Sequence, residues 1–363
     1  MKLVKSLSFL LVGLGTAGIL AQGCGGDSTT DNAEGGTTGG AGRTPPAAPT
    51  AGATTDSTIR TFALNQLFLG ETGRNAAPLK DAWKDYGYNI DGLTTTKESK
   101  DVCTRQGGAD SAKQEDGKEG IDNAFGRTVL GFILGLVPTP SKTINDSIAG
   151  GSFTILLEIK GLTDDPKQNN TGLSGRLLVG GDYSNGKTPA TKPTFSPTDD
   201  WPYRANPIVP INGAYINNGT FVNGAGGATV ELSLFIQGVQ LSLAINRAAI
   251  TFDHSAPNEI TNGTISGVIN TEALVTGIEK VAGRISTQLC GGSTLDTIKQ
   301  TIRQASDIKA DGTNAAGAPC DAISIGLGFT GKKIGDAKTV AVDVAPPPDP
   351  CTTPADAGAD SSQ

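Results

Sequence analysis

Val230-Glu231-Leu232-Ser233-Leu234-Phe235-Ile236, then Gln237-Gly238, then Val239-Gln240-Leu241-Ser242-Leu243-Ala244-Ile245 is the most strongly patterned stretch of the chain. Both runs largely alternate, which puts every second side chain on one face of a strand. The two-residue gap contains a glycine, which supplies the positive φ that a tight hairpin turn needs. The spacing therefore predicts a β-hairpin with one apolar face. The same reading predicts strands near Phe62 to Leu69, Phe153 to Lys160, Arg176 to Gly181, Ala248 to Asp253 and Thr264 to Ile269. Asn-Gly pairs at 185, 212, 218, 223 and 262 are each read as turns between them.

Beyond the hairpin the period changes. Leu274, Val275, Ile278, Val281, Ala282, Ile285 and Leu289 share one helical face, capped by Thr271 and stopped by Gly291-Gly292. Ser293-Thr294-Leu295-Asp296 opens a second helix that turns Leu295, Ile298 and Ile302 inward. Ala322 to Phe329 and Thr339 to Val344 return as strands, and a weaker helical stretch covers Asp122 to Leu136. The expected fold is mainly β, of the α+β class: an antiparallel β-sandwich-like domain with a C-terminal helical hairpin packed on it.

The 363 residues include 50 Gly and 20 Pro but only 5% aromatics, so the core must be built from Val, Ile, Leu and Ala. Lys and Arg number 29 against 36 Asp and Glu, a net charge of −7 with no basic run, which argues against a nucleic-acid partner. His254 is the single histidine, so centres that need several imidazoles are excluded. It follows Phe252-Asp253 at a strand end and reads as a surface-loop residue rather than a general base.

Residues 1–23 read as an export signal: Lys2 and Lys5 precede an apolar run from Leu7 to Leu20, too short to span a bilayer comfortably. Ala21-Gln22-Gly23-Cys24 follows, and the pattern resembles a bacterial lipoprotein signal, with Cys24 as the lipidated residue. Ala21 stands where that pattern usually has Leu, and Ala21-x-Gly23 also suits ordinary signal peptidase. Cleavage would remove two lysines and leave a charge of −9, which anionic lipids repel, so the acyl chains would do the anchoring. Gly25 rather than Asp after the cysteine resembles outer-membrane sorting; without lipid the protein would be secreted or periplasmic.

The expected organisation is a signal peptide over 1–23, the lipidated cysteine and a Gly/Thr/Pro tether over 24–57, one β-rich domain over 58–345, and a Pro-rich polar tail over 346–363. Four further cysteines, Cys103, Cys290, Cys320 and Cys351, contain no CxxC pair and fit disulfides in an exported chain. Of three pairings, neighbourhood in the sequence favours Cys290 with Cys320 and Cys103 with Cys351.

Two stretches concentrate oxygen ligands: Asp85-Tyr86-Gly87-Tyr88-Asn89-Ile90-Asp91-Gly92 and Glu115-Asp116-Gly117-Lys118-Glu119-Gly120-Ile121-Asp122-Asn123. Asn89, Asp91, Asp116 and Asp122 offer the hard oxygens a structural calcium ion takes, although Asp-Gly and Asn-Gly are also plain turn sequences. Trp201 and Tyr203, beside Asp199 and Asp200, are the candidate ligand-binding rings, together with Trp83; each reads equally as a core plug.

The leader, Trp83-Lys84-Asp85-Tyr86-Gly87, Asp116 to Asn123 and the segment around Cys320 resemble uncharacterised cell-envelope lipoproteins of myxobacteria. The resemblance implies an envelope location and brings no catalytic residue. The expected function is a non-enzymatic envelope or cell-surface lipoprotein with a structural or binding role, held by its N-terminal lipid, with a polysaccharide or protein partner. The alternative is a carbohydrate-binding module or a hydrolase using two carboxylates.

Overall fold

The computed structural model describes residues 42–185, 187, 190–224, 229–236, 239–342 and 350–351. Its strands are β1 (Ile59–Phe68), β2 (Thr154–Lys160), β3 (Asn170–Gly180), β4 (Tyr203–Asn217), β5 (Thr220–Val222), β6 (Val230–Ile236), β7 (Val239–Ala256), β8 (Glu259–Asn270) and β9 (Ala322–Ile334). The helices are α1 (Leu130–Leu136), α2 (Pro140–Gly150), α3 (Thr271–Ile285) and α4 (Ser293–Gln304).

All ladders between these strands are antiparallel, in the order β5-β4-β3-β2-β1-β9-β8-β7, and β5 pairs with β7 to close the ring. The sandwich expectation is thereby corrected: the domain is a closed eight-stranded barrel, with β6 outside it on the edge of β7, and four helices rather than one helical hairpin. The elements that overturn it are β4 and β5, which carry no clean alternation. Asn212-Gly213 reads as a turn, yet it lies inside the 15-residue β4, as do Pro207 and Pro210. Bulges explain this. Ladder registers slip between Leu173 and Gly175, between Asn246 and Ala249, and between Ile260 and Gly263, and such slips bend long strands enough to curl a sheet shut. Of the Asn-Gly pairs, Asn218-Gly219 makes the β4–β5 hairpin turn, with φ of 48° and 83°. Asn262-Gly263 lies within β8 at a bulge.

Alternation sorts the barrel wall cleanly. Phe62 and Leu64 of β1, Ile155, Leu157 and Ile159 of β2, and Ile323, Ile325, Leu327 and Phe329 of β9 join one continuous core. Ile144 and Ile148 of α2, Leu274 and Val275 of α3 and Ile298 and Ile302 of α4 complete it. Ala63, Leu156 and Leu178, one position out of phase, point to the other face. There Tyr183, Trp201, Ile334 and Ala337 cover them as a second, smaller cluster.

Both helices form, but α3 starts one residue earlier than expected, with Asn270, not Thr271, as the N-cap accepting from the Ala273 amide, and it ends at Ile285, so Leu289 falls on a separate short turn, Thr287–Leu289. The strand expected over Thr339 to Val344 is reduced to one bridge, Tyr203 with Val340, and residues 343–344 lie outside the described residues. The tether expectation is shortened. The Arg43 amide donates to Glu119, Tyr215 donates to the Pro46 carbonyl, and Ala53 bridges Thr171, so residues 43–54 run along the domain. Cys24 and the signal lie outside the described residues.

Candidate functional site

Four buried or half-buried carboxylates gather where the long β1–α1 connection meets the segment after α4. Asp122 Oδ2 accepts from the amides of Ile90 at 2.6 Å and Asp91 at 3.3 Å. Asp116 Oδ2 accepts from Thr95 N–H at 2.5 Å. Asp91 takes Leu93 N–H on one oxygen and Asn314 Nδ2–H on the other. Asp307 accepts from Ser324 N–H at 2.9 Å and from its hydroxyl at 2.6 Å. Asn89 donates to the Leu93 carbonyl and accepts from Gly92 N–H, pinning the turn between them.

Burial sets the electrostatics of this knot. It pushes the Asp116 carboxyl up to about 8, with Asp91 and Asp307 adding repulsion against the Thr95 bond. Burial likewise holds Asp122 well above the usual carboxylate range, reinforced by Asp91, Asp116 and Asp307. It lifts Asp307 to about 7 despite two bonds from Ser324. The predicted residues Asp91, Asp116 and Asp122 are thus brought into one electrostatic neighbourhood, joined by Asp307, which the sequence reading missed. Each accepts at least one backbone N–H, with the Asn314 amide and the Ser324 hydroxyl adding side-chain donors to Asp91 and Asp307. Among the described residues no group of three or more His, Cys, Asp or Glu side chains is placed to hold a metal ion.

The four cysteines form two disulfides, with the partners exchanged relative to the sequence expectation: Cys103 with Cys320 and Cys290 with Cys351. The β1–α1 connection folds back beside the strand entry at 320, where Thr104 bridges Pro319 and the Cys103 amide donates to Asn314. Spatial neighbours therefore come from sequence positions 217 apart.

The aromatic expectation is corrected at Trp201, which is fully buried against Tyr183 and Phe195 with its Nε1–H on the Gly181 carbonyl. Tyr203 is half-buried, with the Arg176 guanidinium 5.6 Å from its ring. Trp83 is buried beneath Arg127. His254 is corrected too: it is buried in the wall, Nε2 3.0 Å from the Thr163 carbonyl and Nδ1 3.3 Å from that of Glu259. Burial holds its pKa below the usual imidazole range against those two carbonyls. Both nitrogens face main chain, which leaves neither aimed at a nucleophile.

Openings lie elsewhere among the described residues, one of them along α3 beside Glu272 and Lys280, and two border the barrel wall. The first follows from the seam. β5 joins β4 to β7 over three residues only, and beyond it Asn223 extends the pairing: its amide donates to Ile250 O, and its side chain donates to the Ala248 carbonyl and accepts from Ile250 N–H, all at 3.0 Å. Past that point β4 and β6 separate around a cavity of about 270 Å³ lined by Leu177, Val209, Ile211, Val230, Ala248 and Ile250.

The second opening, about 630 Å³, lies between the 71–78 loop and α2. Here β1 has left β2, and α2 takes over its edge. Asn145 accepts from Leu67 N–H at 2.7 Å and donates to Leu67 O at 3.1 Å, pairing as a one-residue strand would. Glu71 caps the helix, one oxygen on the Ser141 amide and the other on its hydroxyl. The opposite wall is braced by Tyr86, whose hydroxyl donates to Thr72 O, and by Arg74, which donates to Gly263 O. No carboxylate of the buried knot lines either opening.

No protein-family model matches this chain, and neither the curated proteins nor the solved structures contain a significant match to it. No helix among the described residues is long and apolar enough to cross a membrane.

Proposed function

We propose that this chain is a non-enzymatic envelope lipoprotein: a disulfide-stapled β-barrel held at a membrane by acyl chains on Cys24, with a binding role at its surface. The observation that carries the reading is the pair of disulfides, because such bridges form and persist in oxidising compartments outside the cytoplasm. The leader sequence supports the same route. Residues 43–54 are bound to the barrel.

The hydrolase alternative needs two carboxylates flanking a cleft. The acids that cluster here are held by main-chain amides away from both openings, so the binding reading is favoured. We infer that the carboxylate knot is structural, with burial favouring the protonated form of Asp116 and Asp122 near neutral pH, and that it joins the β1–α1 connection to β9. Replacing Cys24 by Ala tests the anchor: the variant is expected in the soluble envelope or secreted fraction. Retention on membranes after a high-salt wash would refute it.

A further inference from the structure

The groove along α3 collects positive charge that the fold leaves unused. It has a volume of about 680 Å³ and is lined by one side of the helix, from Glu272 through Thr276 and Lys280 to Arg284, together with Ser242 of β7. Residues four apart lie one above the other on a helix, so these four helical side chains form a single row along the opening.

Counting charges along the row shows what is missing. Glu272 is matched, its two oxygens accepting from the Arg303 guanidinium at 2.7 and 2.8 Å. Glu279 and Lys299, beside the row, neutralise each other at 2.6 Å. Lys280 and Arg284 make no hydrogen bond or ion pair among the described residues, and neither does the Thr276 hydroxyl. Two positive charges thus stand without counter-ions in a chain whose net charge is −7. Part of the Arg284 group is also out of water: its Nε is enclosed and unbonded, so this cation has lost hydration without gaining a carboxylate. Arg284, in the last turn of α3, complements the helix dipole, whereas Lys280 lies a turn further in, where that effect has faded.

A cleft lined by one sign of charge concentrates ions of the other. We propose that the α3 groove binds a phosphate dianion, free or at the end of a phosphomonoester, with Lys280 and Arg284 as its counter-charges and the Thr276 hydroxyl as a further donor. Two negative charges on one compact group match the two uncommitted cations, and the ligand neutralises Arg284 by charge without reaching the enclosed Nε. This site stands independently of lipid anchoring at Cys24, so either can fail alone.

The test is equilibrium dialysis of the oxidised full chain carrying Cys24→Ala with radiolabelled inorganic phosphate, at low ionic strength and about pH 8, where phosphate is a dianion. Saturable one-to-one binding is expected, with glycerol 1-phosphate competing for it and acetate, a monoanion, competing about tenfold less well. Lys280→Gln, at an exposed position with no partner to lose, should weaken phosphate about fivefold and leave the melting temperature unchanged. Glu272→Gln removes the acid of the lining and should tighten phosphate about threefold. Lys160→Gln, at the exposed end of β2, should change nothing. Vesicles containing phosphatidic acid separate the sources: sedimentation that Lys280→Gln abolishes assigns a lipid headgroup, and any other result a soluble phosphate. Absence of saturable phosphate binding would overturn the proposal. So would equal weakening by Lys160→Gln, since that makes the effect one of net charge alone.

Discussion

Phe221 and Phe252 stand directly opposite each other across the β5–β7 ladder, their rings stacked with centroids 4.6 Å apart and planes within 13°. That ladder is three residue pairs long and, with the bonds of Asn223 beyond it, closes the barrel. Cross-strand aromatic pairs are a main source of sheet stability, and a ladder this short gains most of its hold from them. Phe221→Ala is therefore expected to cost about 3–5 kcal/mol in denaturant unfolding. A loss below about 1 kcal/mol would show that closure does not depend on this pair.

The disulfide pairing is checked by peptide mapping under non-reducing conditions. Linked peptides should join Cys103 to Cys320 and Cys290 to Cys351. Each bridge closes a long loop and is worth about 2–5 kcal/mol. Reduction should lower the melting temperature markedly. Recovery of Cys290 linked to Cys320 would contradict the placement of the β1–α1 connection.

His254, as the only histidine, gives a clean pH signature. Burial lowers its folded pKa, so the unfolded chain takes up a proton near its ordinary value while the native state resists it. Its stabilising contribution is full above about pH 6.5 and is lost as pH falls below that. Wild type should thus lose stability relative to His254→Gln between pH 7 and 5, about the range its titration covers. Equal slopes would place the ring in solvent.

The carboxylate knot acts in the opposite direction. Raised folded pKa values mean that its contribution is present below about pH 4 and is lost as pH rises through about 7 for Asp307 and about 8 for Asp116. Asp116→Asn should flatten the decline in stability between about pH 4 and about pH 8, the window these values set. Calcium and chelator should leave the melting temperature of wild type alike. A calcium site at Asn89, Asp91, Asp116 and Asp122 would instead add about 2.7 kcal/mol at a hundredfold excess over Kd, and Asp122→Asn would remove that gain.

Local periodicity made much of this fold legible. The β6–β7 hairpin, β1, β2, β8, β9, α3 and α4 stand where alternation or helical spacing put them. What escaped was β4 and β5, because bulges and Pro207, Pro210 and Asn212-Gly213 break the alternation that identifies a strand, and these strands convert an open sheet into a barrel. Helix α2 had readable signals in Pro140 at its start and Gly151 at φ 85° past its end. The acidic residues were found, yet Asp307 was invisible beside them, since only the fold carries it to Ser324.

The account stands or falls on export and anchoring, and the N-terminal peptide of the mature protein reports on both. Mass spectrometry of the membrane-extracted chain should find a peptide beginning at Cys24 and carrying the mass of diacylglycerol and an amide-linked acyl chain. An unmodified N-terminus at Cys24, or a chain still beginning at Met1 with reduced cysteines, would contradict it.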